Sequence, residues 1–420
     1  MILVGIALFL LAILGAPLFA IIAAGALIGF AGSDIDLMVV PMEIFRVSEI
    51  PVLIAIPLFT FAGYLLGESR APERLVRVTN VVLGWMPGGL AVVALFVCSL
   101  FTAFTGASGV TIIAMGALLY PAMAAAGYRD RFSLGLVTTS GSLGLLFAPS
   151  LPLILYGIIA QQSVNDLFVA GILPGFLMLL LLSIFCMREG GFVRARVTRQ
   201  PFDRREIAAA LRESIWEIPL PIIVLGGVYS GFFAVSEAAA VTVVYVFIVE
   251  VLIYRDIPLR QVPIVMRDSM ILVGGILIIL GASLASTNYM IDQEVPMRLF
   301  GWVTAHISSK LSFLILLNLF LLVLGMMLDI FSALVIVVPL ILPIAAGYGI
   351  DPIHLGMIFL ANMQIGYCTP PVGMNLFIAS YRFDKPIVLL YRASLPFLAI
   401  LLLTVLIITY WPWLSLVLVR

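Results

Sequence analysis

GMMLDIFSALVIVVPLILPIA (residues 325–345) and GYCTPPVGMN (residues 366–375) place a carboxylate, an amide and several helix breakers inside sequence apolar enough for a bilayer. An ionised Asp in hydrocarbon costs several kcal/mol or more, so Asp329 is expected to face protein, water or a bound cation. Gly366, Thr369, Pro370, Pro371 and Gly373 interrupt the second stretch, and no helix runs smoothly through two adjacent prolines. Backbone of that kind survives at membrane depth only where protein or a water-filled cavity satisfies its carbonyls, and broken helices mark ion and substrate sites in transporters.

Composition agrees. The 420 residues are 63% hydrophobic and 10% charged, with mean hydropathy +1.23, which describes an all-α polytopic membrane protein rather than a soluble globule. Basic and acidic residues balance at 22 each, so no nucleic-acid partner is expected. Cys98, Cys186 and Cys368 lie in apolar segments without metal-ligand spacing and read as packing residues, with no disulfide framework. The first residues, MILVGIALFLLAILGAPLFAII, lack the basic start of a signal peptide and are kept as membrane sequence.

Along the chain, residues 2–31 are apolar with a break at Gly15-Ala16-Pro17. A semi-polar connection from Ser33 to Glu49 precedes a span from Pro51 to Leu66, and ESRAPERLVRVTN (68–80) reads as an amphipathic interfacial helix. Residues 87–126 form two apolar arms around Thr105-Gly106-Ala107-Ser108-Gly109. Each arm is short for a span of about 20 residues, so a re-entrant hairpin is expected. An apolar segment broken by residues 140–144, Pro149 and Pro152 follows, then a span at Leu167–Met187 and a long basic loop, Arg188–Arg212. The second half repeats the order. Two short segments meet near Ser230-Gly231, a span covers Val265–Ser283, and a semi-polar stretch runs from Asn288 to Ser309. Two arms around Asp329, a broken segment at His354–Ser380 and a last span at Pro386–Tyr410 complete the set.

Three matches tie the halves together: residues 122–136 to 343–357, 146–157 to 367–378, and AGILPGFL to RASLPFL. The offset is nearly constant at about 221, as in transporters with internal repeats. The expectation is two inverted-topology repeats, each with about five crossing segments (one broken) and one hairpin. Seven arginines put the 188–212 loop in the cytoplasm, with Arg70, Arg74, Arg77, Arg129, Arg131, Arg255, Arg260, Arg382 and Lys385 on the same side. Arg46 and Arg298 are exceptions. Inversion further requires residues 1–31 to cross twice. Residues 1–86, 161–212, 213–310 and 383–420 are assigned to scaffold helices, arms and connections; 87–160 and 311–382 carry the two hairpins with their broken helices.

A hairpin end and an unwound helix together supply carbonyls, hydroxyls and carboxylates, the oxygen-only cage that hard cations accept. One candidate cage comprises Thr105, Ser108, Ser140, Ser142, Gly144 and Pro149; the other, Gly325, Asp329, Asn362, Gly366, Thr369 and Asn375. Sodium ions suit both, since neither contains His or Cys. Unpaired N–H groups of half-helix N-termini favour an anionic solute between them. Ser108, Asp329, Ser150 and Asn375 are the candidate solute ligands. Small residues such as Gly106, Gly109, Gly141 and Gly144 also serve close helix packing, and Asn362 and Asn375 could be interhelical glue. His306 and His354 have no ligand-spaced partner. Trp216, Trp302, Trp411 and Trp413 read as belt residues near span ends. No phosphate-binding GxxxxGK[ST] is present, so ATP hydrolysis is not expected.

In FTGASGVTIIAMGALLYPAM, GLLFAPSLPLILYG, GMMLDIFSALVIVVPLILPI and GYCTPPVGMNLFIAS the chain resembles the large membrane subunit of TRAP transporters, the tripartite ATP-independent periplasmic uptake systems. The resemblance covers essentially the full length, and the last two motifs are the specific ones. It implies a sodium-driven secondary importer of elevator type in the bacterial inner membrane, not an enzyme. Its partners would be a small four-helix membrane subunit and a soluble periplasmic binding protein that delivers an organic acid. By similarity Ser108 and Asp329 line the substrate and ion region, and the two cages hold sodium. One departure is that Phe147-Ala148-Pro149-Ser150 has a single proline where the family has two, which puts the first ion site in question. With nothing before Met1, the small subunit is expected as a separate chain.

Two other readings compete. Gly106-Ala107-Ser108-Gly109 fits the GxSG of rhomboid-like intramembrane proteases, which need a His beside the serine. Only His306 and His354 could serve. A passive channel would need a ring of like charges or a carbonyl filter, and neither is visible.

Overall fold

The computed structural model describes residues 7–419 except 9, 12, 13, 15, 34, 84, 85, 87, 194–203 and 308, with backbone alone for 190–193 and 204. Among the described residues, eight helical spans are long and apolar enough to cross a membrane. They become nine if Asp130–Leu146 and Leu151–Ile159, bent by 44° at their junction, count as one broken span. The chain is an all-helical, multi-pass membrane protein.

Helix α1 (Leu18–Gly32) follows a reversal at Pro17. A Cβ on Gly25 would lie 3.6 Å from the Leu8 side chain, so the preceding residues run back alongside α1; Gly15 of the expected turn lies outside the described residues. After α2 (Val39–Arg46) come α3 (Ala55–Glu68) and the amphipathic α4 (Ala71–Leu83). Arms α5 (Gly89–Thr105) and α6 (Ser108–Ala125) form the first hairpin. The broken segment is α7 (Asp130–Ser140), a 3-10 turn at Leu143–Leu146 and α8 (Leu151–Ile159). Then follow α9 (Val164–Ala170), α10 (Ile172–Val193), α11 (Arg204–Glu213), α12 (Pro219–Tyr229) and α13 (Val235–Phe247), which ends in a π-turn, Ile248–Ile253. The long α14 (Val262–Asp292) and α15 (Val295–His306) lead to the second hairpin, α16 (Lys310–Met327) and α17 (Ile330–Gly347). The second broken segment is α18 (Pro352–Gly366) and α19 (Met374–Phe383); α20 (Ile387–Tyr410) and α21 (Trp413–Leu416) end the chain.

Both hairpins, both breaks and the amphipathic helix at 71–83 fall where the residues place them. Two expectations need correction. The basic loop is shorter than 188–212, because α10 continues to Val193 and α11 begins at Arg204. The span expected at 265–283 extends over 31 residues, and the stretch from 288 is helical apart from a turn near Glu294. Semi-polar residues such as Asn288 and Asp292 do not oppose helix once helix is already propagating, so polarity misplaced that end. Trp216, Trp302, Trp411 and Trp413 are all exposed, and the three cysteines are free and buried.

Matching helices begin at 89 and 310, 108 and 330, 130 and 352, and 151 and 374, offsets of 221 to 223. Packing follows the same spacing. A Cβ on Gly144 would meet Ala103 N at 2.5 Å and Ser99 O at 2.2 Å, while one on Gly366 would meet the Gly325 carbonyl carbon at 2.4 Å. Each break thus lays main chain against main chain on the first arm of its own hairpin, which only glycine permits. A third such contact joins separate parts: on α3, a Cβ on Gly63 would fall 2.5 Å from Thr105 Cα at the end of α5.

Helix α4 is held by charge. Arg74 is buried and bonds Asp256 through Nη1 at 2.7 Å, Glu250 through Nη2 at 2.8 Å and Glu217 through Nε. The Tyr254 ring covers the guanidinium at 4.0 Å. Three residues on, Arg77 pairs with Glu206 and Glu213 where all three are exposed. The sequence reading used both arginines only to orient the chain.

Candidate functional site

The two hairpin tips are built differently. At the first, Gly106 closes α5 with φ +65 and its N–H donates to Thr102 O at 2.8 Å, so the chain reverses through a conformation suited to glycine. At the second, Asp329 caps α17: its Oδ2 accepts the Ser332 N–H at 3.0 Å and its Oδ1 accepts the Ser332 hydroxyl. The carboxylate is partly exposed, and both its oxygens lie at the helix N-terminus, where a negative charge is favoured.

Each tip meets its own break. A Cβ on Gly106 would strike the Leu151 side chain at 2.4 Å, which seats the first tip on the start of α8. At the second, the Gly373 N–H donates to Met326 O at 3.1 Å and the Ile330 N–H donates to the Tyr367 hydroxyl at 2.5 Å. Both breaks contain a cis X–Pro bond, at Ala148–Pro149 and Pro370–Pro371.

The breaks also meet across the halves. Ser108 Oγ donates to Asn375 Oδ1 at 2.8 Å, joining the first tip to the second break; both residues are buried. Asn375 Nδ2 reaches Thr138 O at 3.5 Å and Cys368 Sγ at 3.6 Å. Ser142 Oγ lies 3.3 Å from both Thr139 O and Gln364 O, with its one proton between the two. Residues assigned from sequence to separate cages therefore share one hydrogen-bonded crossing.

The remaining candidates bond locally. Thr105 Oγ1 reaches Ala107 O at 3.5 Å, Ser140 Oγ reaches Val137 O at 3.3 Å, Ser150 Oγ reaches Leu145 O at 2.6 Å and Thr369 Oγ1 reaches Ile365 O at 2.9 Å. Pro149 lies buried in the first break, and Gly325 contacts Gly366. Asn362 is turned toward the hairpin arm: its Nδ2 donates to Asn318 Oδ1 at 2.7 Å and to Ile358 O at 2.8 Å, and its Oδ1 is buried without a partner. Each of these hydroxyls places its proton on a main-chain carbonyl, so its lone pairs remain for a cation. Oxygen atoms of this kind are the donors that hard cations accept.

Sequence reasoning missed Tyr367, Thr138, Gln364 and Asn318. The amides could have been flagged by the rule that singled out Asp329, a polar group inside an apolar run. Tyr367 and Thr138 act through a cap and a main-chain carbonyl, which leave no sequence signal. The protease reading is not supported: Ser108 donates to an amide oxygen, His306 Nδ1 sits 2.8 Å from Trp302 O, and His354 lies between Ser415 and Thr409.

The family model described as "Tripartite ATP-independent periplasmic transporter, DctM component" matches residues 4–414. The C4-dicarboxylate TRAP transporter large permease protein DctM of Pseudomonas aeruginosa is 37% identical over 381 residues, covering 90% of this chain and 88% of that one. The isethionate TRAP transporter permease protein DctMQ of Oleidesulfovibrio alaskensis is 33% identical over 407 residues, covering 94% of this chain and 61% of the relative. Among solved structures, the YdaH transporter of Alcanivorax borkumensis superposes with a TM-score of 0.58 at 15% identity, over 89% of this chain and 87% of that one. That likeness concerns the fold alone.

Proposed function

The chain belongs to the DctM component family of tripartite ATP-independent periplasmic transporters, and from this premise we propose that it is the large permease of a sodium-coupled importer of an organic acid. The observation that carries the reading is the meeting of two hairpin tips with two broken helices, tied by the Ser108–Asn375 hydrogen bond. Solute binds at that crossing. The N-terminal ends of α6, α8 and α19 supply N–H groups for its carboxylate or sulfonate, as the substrates named for the dicarboxylate and isethionate relatives suggest.

Sodium ions travel with it. Ser140, Ser142 and the carbonyls of residues 141–149 would hold one, and Asn362, Thr369 and the carbonyls of residues 325 and 366–369 another. Asp329 provides the negative charge near the second. Bound sodium neutralises the oxygen-rich breaks and prepares them for an anion, so an inward sodium gradient drives accumulation. The hairpins and broken helices move as one body past α3, α4 and α14, alternately opening to each side. The repeats are inverted in the bacterial inner membrane, with residues 188–212 in the cytoplasm.

Two partners complete the system: a small four-helix membrane subunit and a soluble periplasmic protein that delivers the solute. The isethionate relative, longer than this chain and named DctMQ, supports a small component working beside the large one.

The test is uptake by vesicles containing this chain and its small subunit, supplied with loaded binding protein. Uptake is expected with an inward sodium gradient and not with potassium or choline. Equal uptake in all three would overturn sodium coupling, and uptake without any binding protein would overturn the tripartite reading.

A further inference from the structure

Helix α16 carries Asn318 seven residues before Gly325, two turns away and so on the same face. That face packs on α18, where Asn362 precedes Gly366 by one turn. The interface is thus a main-chain contact at one level and an amide pair at another. Asn318 Oδ1 accepts from Asn362 Nδ2 at 2.7 Å and from Thr409 Oγ1 on α20 at 3.1 Å, while Asn318 Nδ2 donates to its own helix at Leu314 O, 2.8 Å away. Three helices are clasped by one amide, which is 5% exposed.

The proton count gives this clasp a direction. Asn362 has two amide protons; Ile358 O takes one and Asn318 Oδ1 takes the other. What remains is Oδ1, an acceptor in a residue with no exposed surface and no partner. Leaving such a group unsatisfied costs about 1–3 kcal/mol, more than a side chain needed only for packing would be expected to carry. A bound cation would satisfy this carbonyl oxygen, which belongs to a residue one turn from the Gly325–Gly366 contact.

We propose that Asn318 is a positioning residue for the second sodium ion: by engaging the amide protons of Asn362, it holds that carbonyl oxygen free as a ligand without touching the ion itself. The inference rests on the sodium-coupled reading given above. Through Thr409 it also links the ion site to α20.

The experiment measures the sodium dependence of uptake by the complete transporter in vesicles. Asn318→Leu raises the half-saturating sodium concentration about tenfold, the size of one lost amide hydrogen bond, with maximal uptake within about twofold of the parent. Asn318→Asp, which keeps the acceptor, recovers most of that affinity. Asn318→Leu combined with Asn362→Leu is no worse than Asn362→Leu alone, because the first acts through the second. A fall in maximal uptake at unchanged half-saturating sodium, or additive losses in the double variant, overturns the proposal. If Asn318→Leu does not assemble, the melting temperature of Asn318→Asp and of Thr409→Val in sodium against choline decides. Both keep an acceptor facing Asn362, so both retain the sodium-dependent rise, and its loss in both overturns the proposal. A parent that transports equally in sodium and choline defeats the proposed coupling itself, a result distinguishable from either.

Discussion

Replacing Arg74 by Met removes one guanidinium from among three carboxylates. Glu250 has no exposed surface, Glu217 and Asp256 are largely covered, and the partners come from positions 143 to 182 residues away in sequence. Removing one partner of a buried ion pair typically costs about 3–5 kcal/mol, because the charge left behind is uncompensated. Three carboxylates share this guanidinium, so the upper part of that range is expected. Arg77→Met, on the same helix, breaks exposed pairs worth about 0–1 kcal/mol. The contrast between the two is the prediction. Purified protein in detergent, unfolded by heat and by denaturant, should show Arg74→Met far less stable than Arg77→Met. Raising the salt to about 0.5 M should remove the small Arg77 effect by screening and leave the Arg74 effect intact. Arg74→Lys should fall between, since an ammonium cannot present the planar fork that reaches three acceptors. Equal stability of the two methionine variants would refute the reasoning.

Asp329→Asn should separate the charge from the cap: Asn caps α17 as well as Asp does, so folding holds while sodium-dependent uptake is lost. Undiminished uptake would remove the carboxylate from the mechanism. Ser108→Ala and Asn375→Ala should each reduce transport, and the double variant should be little worse than Asn375→Ala alone, since the Ser108 bond ends on Asn375 while Asn375 also reaches Thr138 and Cys368; additive losses would contradict the shared bond. Gly366→Ala should destabilise the protein by at least the ~1–3 kcal/mol typical of overpacking, because its methyl meets main chain that cannot move aside. Normal thermal stability of that variant would argue against the close contact at Gly325.

Much of this architecture was legible because bilayer-depth sequence is intolerant. Pro370-Pro371 cannot continue a helix, Gly106 and the run at 140–144 supply the small and polar residues that a turn needs, and each break appears where the residues place it. Long-range partners were less visible. The alternation in 68–80 shows that one face of α4 is charged, yet it cannot reveal that the turn after α11 and the π-turn and loop after α13 close over that face and bury Arg74. The bond between Ser108 and Asn375 spans 267 residues, and no local pattern encodes it. Asn318 stands alone in an apolar helix, and only its partners show which of its atoms is committed. The polar residues from Asn288 suggest an end to the span near Ser283, yet α14 runs through them to Asp292.

The place where α3 meets the first hairpin has a mechanical meaning. Gly63 brings no side chain to it, and opposite lies the main chain at Thr105. At this level the two helices meet backbone to backbone, closer than any side chain would let them come. Even one methyl group at Gly63 would wedge them apart.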